Sequence, residues 1–141
     1  AILTSHNDSR IKACFVLDSW INPIPDSVMF NGISVPFLSL GRPNWNDSDY
    51  PTNYLELEKL LKKSSNKKYD LRIKNTLHLD YTDIPLMSPL IEYVMEVGSL
   101  SPTITLPLIN DVIYHFLEEN LLKKESTTLD SIIDNKLINK L

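Results

Sequence analysis

The chain has 141 residues, 43% of them hydrophobic, with a formal net charge of −4 and a pI near 5.3. That apolar content suffices for one domain with its own core, while the acidic balance argues against nucleic acid, whose phosphates require a basic face. No run approaches the roughly 18 consecutive apolar residues of a membrane span, and Cys14, the single cysteine, excludes an internal disulfide and a cysteine-based metal site.

Residues 1–9, AILTSHNDS, open on helix-compatible residues and close on a turn signal, as expected for the tail of a helix that starts before Ala1. The start on Ala rather than Met fits the same expectation. IKACFVL, residues 11–17, is too short for an ordinary helix and predicts a strand buried on both faces, with Cys14 as a small core residue. Pro23, Pro25 and Gly32 mark the next stretch, DSWINPIPDSVMFNG, as a loop. ISVPFLSL, residues 33–40, is a second strand with Pro36 near its start, followed by the polar loop GRPNWNDSDYPTN.

Tyr54, Leu55, Leu57, Leu60 and Leu61 then mark an amphipathic helix that Pro51 and Thr52 can start, with Lys62, Lys63, Lys67 and Lys68 as its solvated end and turn. YDLRIKNTL spaces Leu71, Ile73 and Leu77 by even numbers and predicts a third strand, interrupted by Asn75. After His78 the segment LDYTDIPLMSPL is irregular. A short helix is expected near 90–97, ended by Gly98, then a helix over 108–124 with Ile109, Val112, Ile113, Phe116, Leu117 and Leu121 on one face, and a last helical piece over 128–141. Two Asn-x-Ser sequons, at Asn7 and Asn46, admit a secreted protein without requiring one, so the compartment, secreted or cytoplasmic, stays open.

Strands separated by helices or long crossovers imply an α/β fold, a parallel sheet with helices on both faces. Three such strands leave an uncovered edge, so residues 1–124 read as the C-terminal half of a larger domain and 125–141 as a helical extension. In an open parallel sheet reactive groups gather beyond the carboxyl ends of the strands. Asp18 follows the first strand at that end and His78 follows the third. A carboxylate beside an imidazole holds the ring's orientation and stabilises the imidazolium, which is two thirds of a hydrolytic triad. The third member, a serine on a Gly-x-Ser-x-Gly turn, has no counterpart around Gly32, Gly41 or Gly98.

The string LDSW with its proline-bearing loop, the strand ISVPFLSL and the later LHLDYTD together resemble the C-terminal half of the α/β-hydrolase serine esterases of the platelet-activating factor acetylhydrolase family. In that family the triad acid lies in a Leu-Asp-x-Trp segment and the histidine in a His-x-x-aromatic-x-Asp segment, positions held here by Asp18 and His78. The resemblance covers most of residues 1–124. It implies hydrolysis of a short sn-2 acyl ester of a glycerophospholipid without a metal or other cofactor. The family's serine would fall just before Ala1, so the partner implied is the N-terminal half of the same hydrolase, and this chain alone is expected to be inactive.

Other α/β-hydrolases carry the acid after the next strand, where Asp47 and Asp49 are rivals to Asp18; Asp26 lies too far along its loop. His6, in a polar turn, and His115, on a predicted helix without nearby acidic chemistry, read as structural. His78, Asp80 and Asp83 form H-x-D-x-x-D, which matches no established metal spacing, and Asp83 is better suited to holding its loop through backbone N–H groups. Under the resemblance, Trp20 is a flat apolar wall for an acyl or alkyl chain, or else a plain core aromatic, with Tyr81 a second candidate for contact with substrate. Two rival functions remain: an esterase of dienelactone hydrolase or polyester-hydrolysing type with another substrate, and a non-catalytic interaction domain that pairs its strands with a partner's sheet edge.

Overall fold

The computed structural model describes residues 1–46, 48–88, 90–123 and 127–140. A helix α1 (Ile2–Asn7) leads into β1 (Cys14–Leu17), and β2 (Phe37–Gly41) and β3 (Lys68–Ile73) follow as parallel neighbours in the order β1-β2-β3. Leu17 lies opposite Leu40, and Leu40 opposite Leu71, so the three strands end near one line. The predicted parallel sheet with helices on both faces is present. β2, its central strand, is buried at all five positions, which is why its residues form an unbroken run instead of an alternation.

The pleat divides the core in two. Cys14, Val16 and Phe37 point to one face and pack with Ile2, Val28, Leu57 and Leu60 from α1, α2 (Asp26–Asn31) and α3 (Asn53–Lys63). Leu38, Leu40, Tyr69, Leu71 and Ile73 point to the other and pack with Leu108, Val112 and Phe116 of α5 (Pro102–Leu122) and Leu129 and Ile133 of α6 (Thr127–Ile133). Of the lysines at and just after the end of α3, Lys62 pairs with Glu58 at 2.6 Å, Lys68 reaches the carbonyls of Leu61 and Ser64, and Lys67 pairs across the fold with Glu119 of α5.

Several boundaries differ from the sequence pattern. The helix α2 occupies part of the expected loop; with six residues it is too short to show a helical period, although Pro25 at its N-cap, Asp26 in its first turn and Gly32 after its end mark it. Gly32 has φ 72°, and a Cβ there would lie 2.3 Å from the Lys63 carbonyl carbon, so the ends of α2 and α3 meet at a position that requires glycine. β2 starts after Pro36, and Ile33 instead docks beneath α3, its N–H donating to Ser64 Oγ at 3.0 Å. The helix expected at 90–97 reduces to a 3₁₀ turn at Ile91–Tyr93 after α4 (Ile84–Met87). α5 begins at Pro102 and runs through Pro107, six residues earlier than expected, because the buried face of Thr105, Leu108, Ile109, Val112 and Phe116 is continuous across that proline.

The predicted C-terminal helix over 128–141 is helical only to Ile133. Asn135 turns the chain, its Oδ1 accepting from Leu137 N–H and its carbonyl from Ile138 N–H, both at 2.9 Å. β4 (Ile138–Lys140) then pairs antiparallel with β3, Ile138 opposite Ile73. Pairing an open strand edge and burying Ile138 outweighs one more helical turn.

Phe116, fully buried against Tyr69, tests the α5 face of the core. Phe116→Ala is expected to lower the unfolding free energy by about 3–5 kcal/mol in chemical denaturation. Lys59→Ala, which removes the exposed pair with Glu56, should change it by less than about 1 kcal/mol.

Candidate active site

Asp18 sits one rung past β1, its N–H donating to the Leu40 carbonyl at 2.8 Å. Its φ of 39° lies in the left-handed region that residues with a Cβ rarely adopt, and it turns the chain out of the strand. The carboxylate is completely buried. Oδ1 accepts the backbone N–H of Arg42 at 3.1 Å. Oδ2 lies 2.8 Å from His78 Nδ1 and 3.3 Å from Arg42 Nε. The Arg42 Nε–H is not aimed well enough for a hydrogen bond, so that contact is ionic. Gly41 supplies the room: a Cβ there would come within 3.1 Å of Asp18 Oδ1 and 2.7 Å of the Tyr54 hydroxyl.

His78 reaches the same rim from β3, across 60 positions of sequence. Asn75, at φ 60°, turns the chain after the strand, and Thr76 Oγ1 donates to the Ile73 carbonyl at 2.7 Å. His78 opens a 3₁₀ turn, His78–Tyr81, that is held by Asp80. Asp80 is buried, and its Oδ2 accepts the N–H groups of Leu77 and Gly98, each at 2.7 Å. Gly98 is therefore a point of close approach: a Cβ on it would lie 2.2 Å from the Asn75 carbonyl oxygen.

An ionised carboxylate can only accept hydrogen bonds, so paired with Asp18 the His78 Nδ1 carries the proton and Nε2 keeps its lone pair. The His78 side chain is 59% exposed, against none for Asp18. The pair thus has a buried acid, a fixed tautomer and a basic nitrogen that solvent or substrate can reach.

Around this pair the guanidinium of Arg42 lies 4.0 Å from the centroid of the Trp45 ring, and the buried Tyr54 hydroxyl donates to the Arg42 carbonyl. Burial, reinforced by the nearby Asp18 charge, pushes the Tyr54 hydroxyl well above the usual phenol range, which keeps it a neutral donor. A cleft of about 620 Å³ is bounded by Arg42, Asn44, Trp45, Thr76, Leu77 and Glu92; Asp18 and His78 do not line it, but Arg42, which contacts the Asp18 carboxylate, and Leu77, which precedes His78, do. Trp20 stands at the rim, 45% exposed, against Tyr50. Tyr81 lies inside, 8% exposed, with its hydroxyl 3.0 Å from Thr76 Oγ1.

The remaining candidates lie elsewhere. Asp49 and Asp26 are exposed, and Asp47 falls outside the described residues. His6 Nδ1 lies 3.0 Å from the Gly32 carbonyl oxygen. His115 does have an acidic neighbour, Glu118, with Nδ1 3.3 Å from Oε2, one helical turn further on. Asp83 precedes α4 and makes no capping bond with its side chain; the loop-holding role expected of it belongs to Asp80. Cys14 is buried in the sheet, and burial pushes its thiol up, away from thiolate chemistry. Sequence reasoning missed Gly41, Arg42 and Asn53, whose buried amide accepts the Ile21 N–H at 2.7 Å and donates to the Ser19 carbonyl at 3.0 Å just past Asp18, and it weighed Asp80 only as a metal ligand. Gly41 and Arg42 stood directly after an apolar strand, where the site was expected, but nothing in their spacing assigns them to Asp18.

Nearly the whole chain has counterparts among known proteins. A family model described as platelet-activating factor acetylhydrolase, isoform II, matches residues 1–139. Platelet-activating factor acetylhydrolase from Gallus gallus is 26% identical over 128 residues, 89% of this chain and 29% of the relative, and that from Bos taurus is 24% identical over 138 residues, 96% and 30%. The chain thus spans less than a third of the length of these curated relatives. A ferulic acid esterase from Streptomyces cinnamoneus superposes with a TM-score of 0.70 at 20% identity, over 95% of this chain and 41% of that one, a likeness of fold consistent with an α/β-hydrolase. The match from residue 1 to 139, on a sheet of that kind, means that the chain belongs to the platelet-activating factor acetylhydrolase isoform II family.

Proposed function

We propose that these residues are the acid–base part of a serine carboxylic ester hydrolase, and that the ester is a short sn-2 acyl group of a glycerophospholipid. The observation that carries this reading is the 2.8 Å contact between Asp18 Oδ2 and His78 Nδ1 at the carboxyl end of the sheet. In it, His78 Nε2 takes the proton of a serine hydroxyl as the oxygen attacks the ester carbonyl, then returns it to the leaving alkoxide. Asp18 fixes the imidazole tautomer and stabilises the imidazolium, and it stays ionised throughout. The serine and the oxyanion-hole N–H groups come from sequence outside these 141 residues, in keeping with a chain that covers about 30% of its relatives. By itself this segment is inactive.

Trp20 serves as an apolar wall beside the reacting carbonyl, and Tyr81 supports the histidine turn from within. No metal or other cofactor takes part in this scheme.

Fluorophosphonate labelling and ester hydrolysis by the full-length protein test the assignment. Asp18→Asn and His78→Ala should each lower the rate by about 10³–10⁴-fold, while Asp49→Asn leaves it within a factor of a few. Full activity in Asp18→Asn together with loss in Asp49→Asn would transfer the acid to the second strand. Gly41→Ala, whose new Cβ presses on the Asp18 carboxylate and the Tyr54 hydroxyl, should lower kcat by at least about tenfold, since misplacement of such groups by an ångström costs up to about 10²-fold. Its far-ultraviolet circular dichroism should remain that of the wild type.

A further inference from the structure

Arg42 stands against the Asp18 carboxylate without being bonded to it. Its Nε lies 3.3 Å from Asp18 Oδ2, the same oxygen that meets His78 Nδ1 at 2.8 Å, yet that N–H makes no hydrogen bond. What fixes the guanidinium is an aromatic face: it lies 4.0 Å from the centroid of the Trp45 ring, and Trp45 meets the Tyr54 ring edge-on, with centroids 6.4 Å apart and planes at 78°. Tyr54 is covered in turn by the guanidinium of Arg72 at 3.5 Å, and Arg72 pairs with Asp70 at 3.0 Å. The mounting runs from β3 past α3 to the end of β2 and delivers a positive charge, only 16% exposed, to the acid. An arginine side chain is not discharged in a protein, so that charge is present at every working pH.

A histidine that takes a proton from a serine must be neutral beforehand, so ester hydrolysis falls on the acid side as the ring becomes charged. Asp18 favours that charging. Arg42 opposes it twice, by sharing the carboxylate's charge with the imidazolium and by repelling the imidazolium itself. We infer that Arg42 is a positioning residue that acts through Asp18 to keep His78 neutral at lower pH than an unopposed Asp–His pair would allow, so that hydrolysis persists as the medium turns acidic. This rests on the esterase reading above. The other charged or titratable side chains around the pair have no such effect. Asp70 and Arg72 offset each other, Asp80 in the histidine's own turn is met by the Leu77 and Gly98 N–H groups, and Tyr54 and Tyr81 are kept neutral by burial. Glu92 and Glu96, which line the cleft, are exposed and screened by water and salt.

The test follows kcat/KM against pH in the full-length protein with an uncharged p-nitrophenyl ester. Arg42→Met keeps an apolar stem on Trp45 and removes the charge; it should move the acid-side midpoint up by about half a pH unit to one unit, as one charge near a partly exposed ring would. Arg42→Lys keeps the charge, and its midpoint should stay within about 0.3 unit of the wild type even where the lost stacking lowers its rate. A reduced rate with an unmoved midpoint in Arg42→Met, or equal shifts in both variants, would make Arg42 a packing residue and overturn the assignment. Should Arg42→Met fail to fold for want of a partner to the buried carboxylate, Arg42→Gln, which offers a neutral donor, decides by the same midpoint. NMR titration of the His78 ring signal, identified by its loss in His78→Gln, reads the shift without substrate; an unchanged titration in the charge-free variant refutes the inference. A wild type that hydrolyses no ester removes the esterase reading, and the titration then decides the effect of Arg42 alone.

Discussion

The carboxylate of Asp18 is the constraint around which the rest of the rim is arranged. An ionised group with no solvent contact is costly to keep unless charges and donors surround it. Here the backbone N–H of Arg42, its guanidinium and the imidazole of His78 share that work. The residue also carries a left-handed backbone, a conformation that costs on the order of 1–3 kcal/mol and persists where its surroundings fix it. Gly41 leaves space for the oxygens, and Asn53 clamps the chain just beyond, so the acid is positioned from two elements besides its own strand.

The sheet makes this arrangement possible. Three parallel strands in register place their carboxyl ends side by side, and β2, buried throughout, stands between the strand that delivers Asp18 and the one that delivers His78. The helices on the two faces hold that spacing through separate apolar clusters. β4 pairs with the end of β3 nearest the histidine turn, so the C-terminal segment supports the strand that carries His78 rather than standing apart from it. The two partners differ in access because of where the fold places them: one is held in the interior, the other projects from a short turn that Asp80 fastens to Gly98.

Much of this was legible in the sequence, for reasons that can be named. IKACFVL and ISVPFLSL marked two of the parallel strands as short apolar runs and YDLRIKNTL marked the third by its even spacing, although only the second is buried on both faces, the first and third burying alternate positions more deeply. Asp18 and His78 stood out by their places at the carboxyl ends of those runs. The pieces that pattern reasoning misplaced were short or context-dependent: a six-residue helix below one hydrophobic period, a helix that continues through Pro107, and a C-terminal strand whose three residues acquire meaning from the edge they pair with.

The sequence by itself determined the positions of the three parallel strands, the apolar faces of the helices that cover them and the two residues that meet at the rim, because these depend on local periodicity and on the residue that ends each strand. Tertiary structure alone decided which side chains serve that pair. Gly41, Arg42 and Asn53 are remote from Asp18 in the chain, Asp80 reaches across to Gly98, and no period links any of them to the site. Their roles come from distances across the sheet and from the need to bring donors and positive charge to a buried carboxylate, and such distances exist only once the chain has folded.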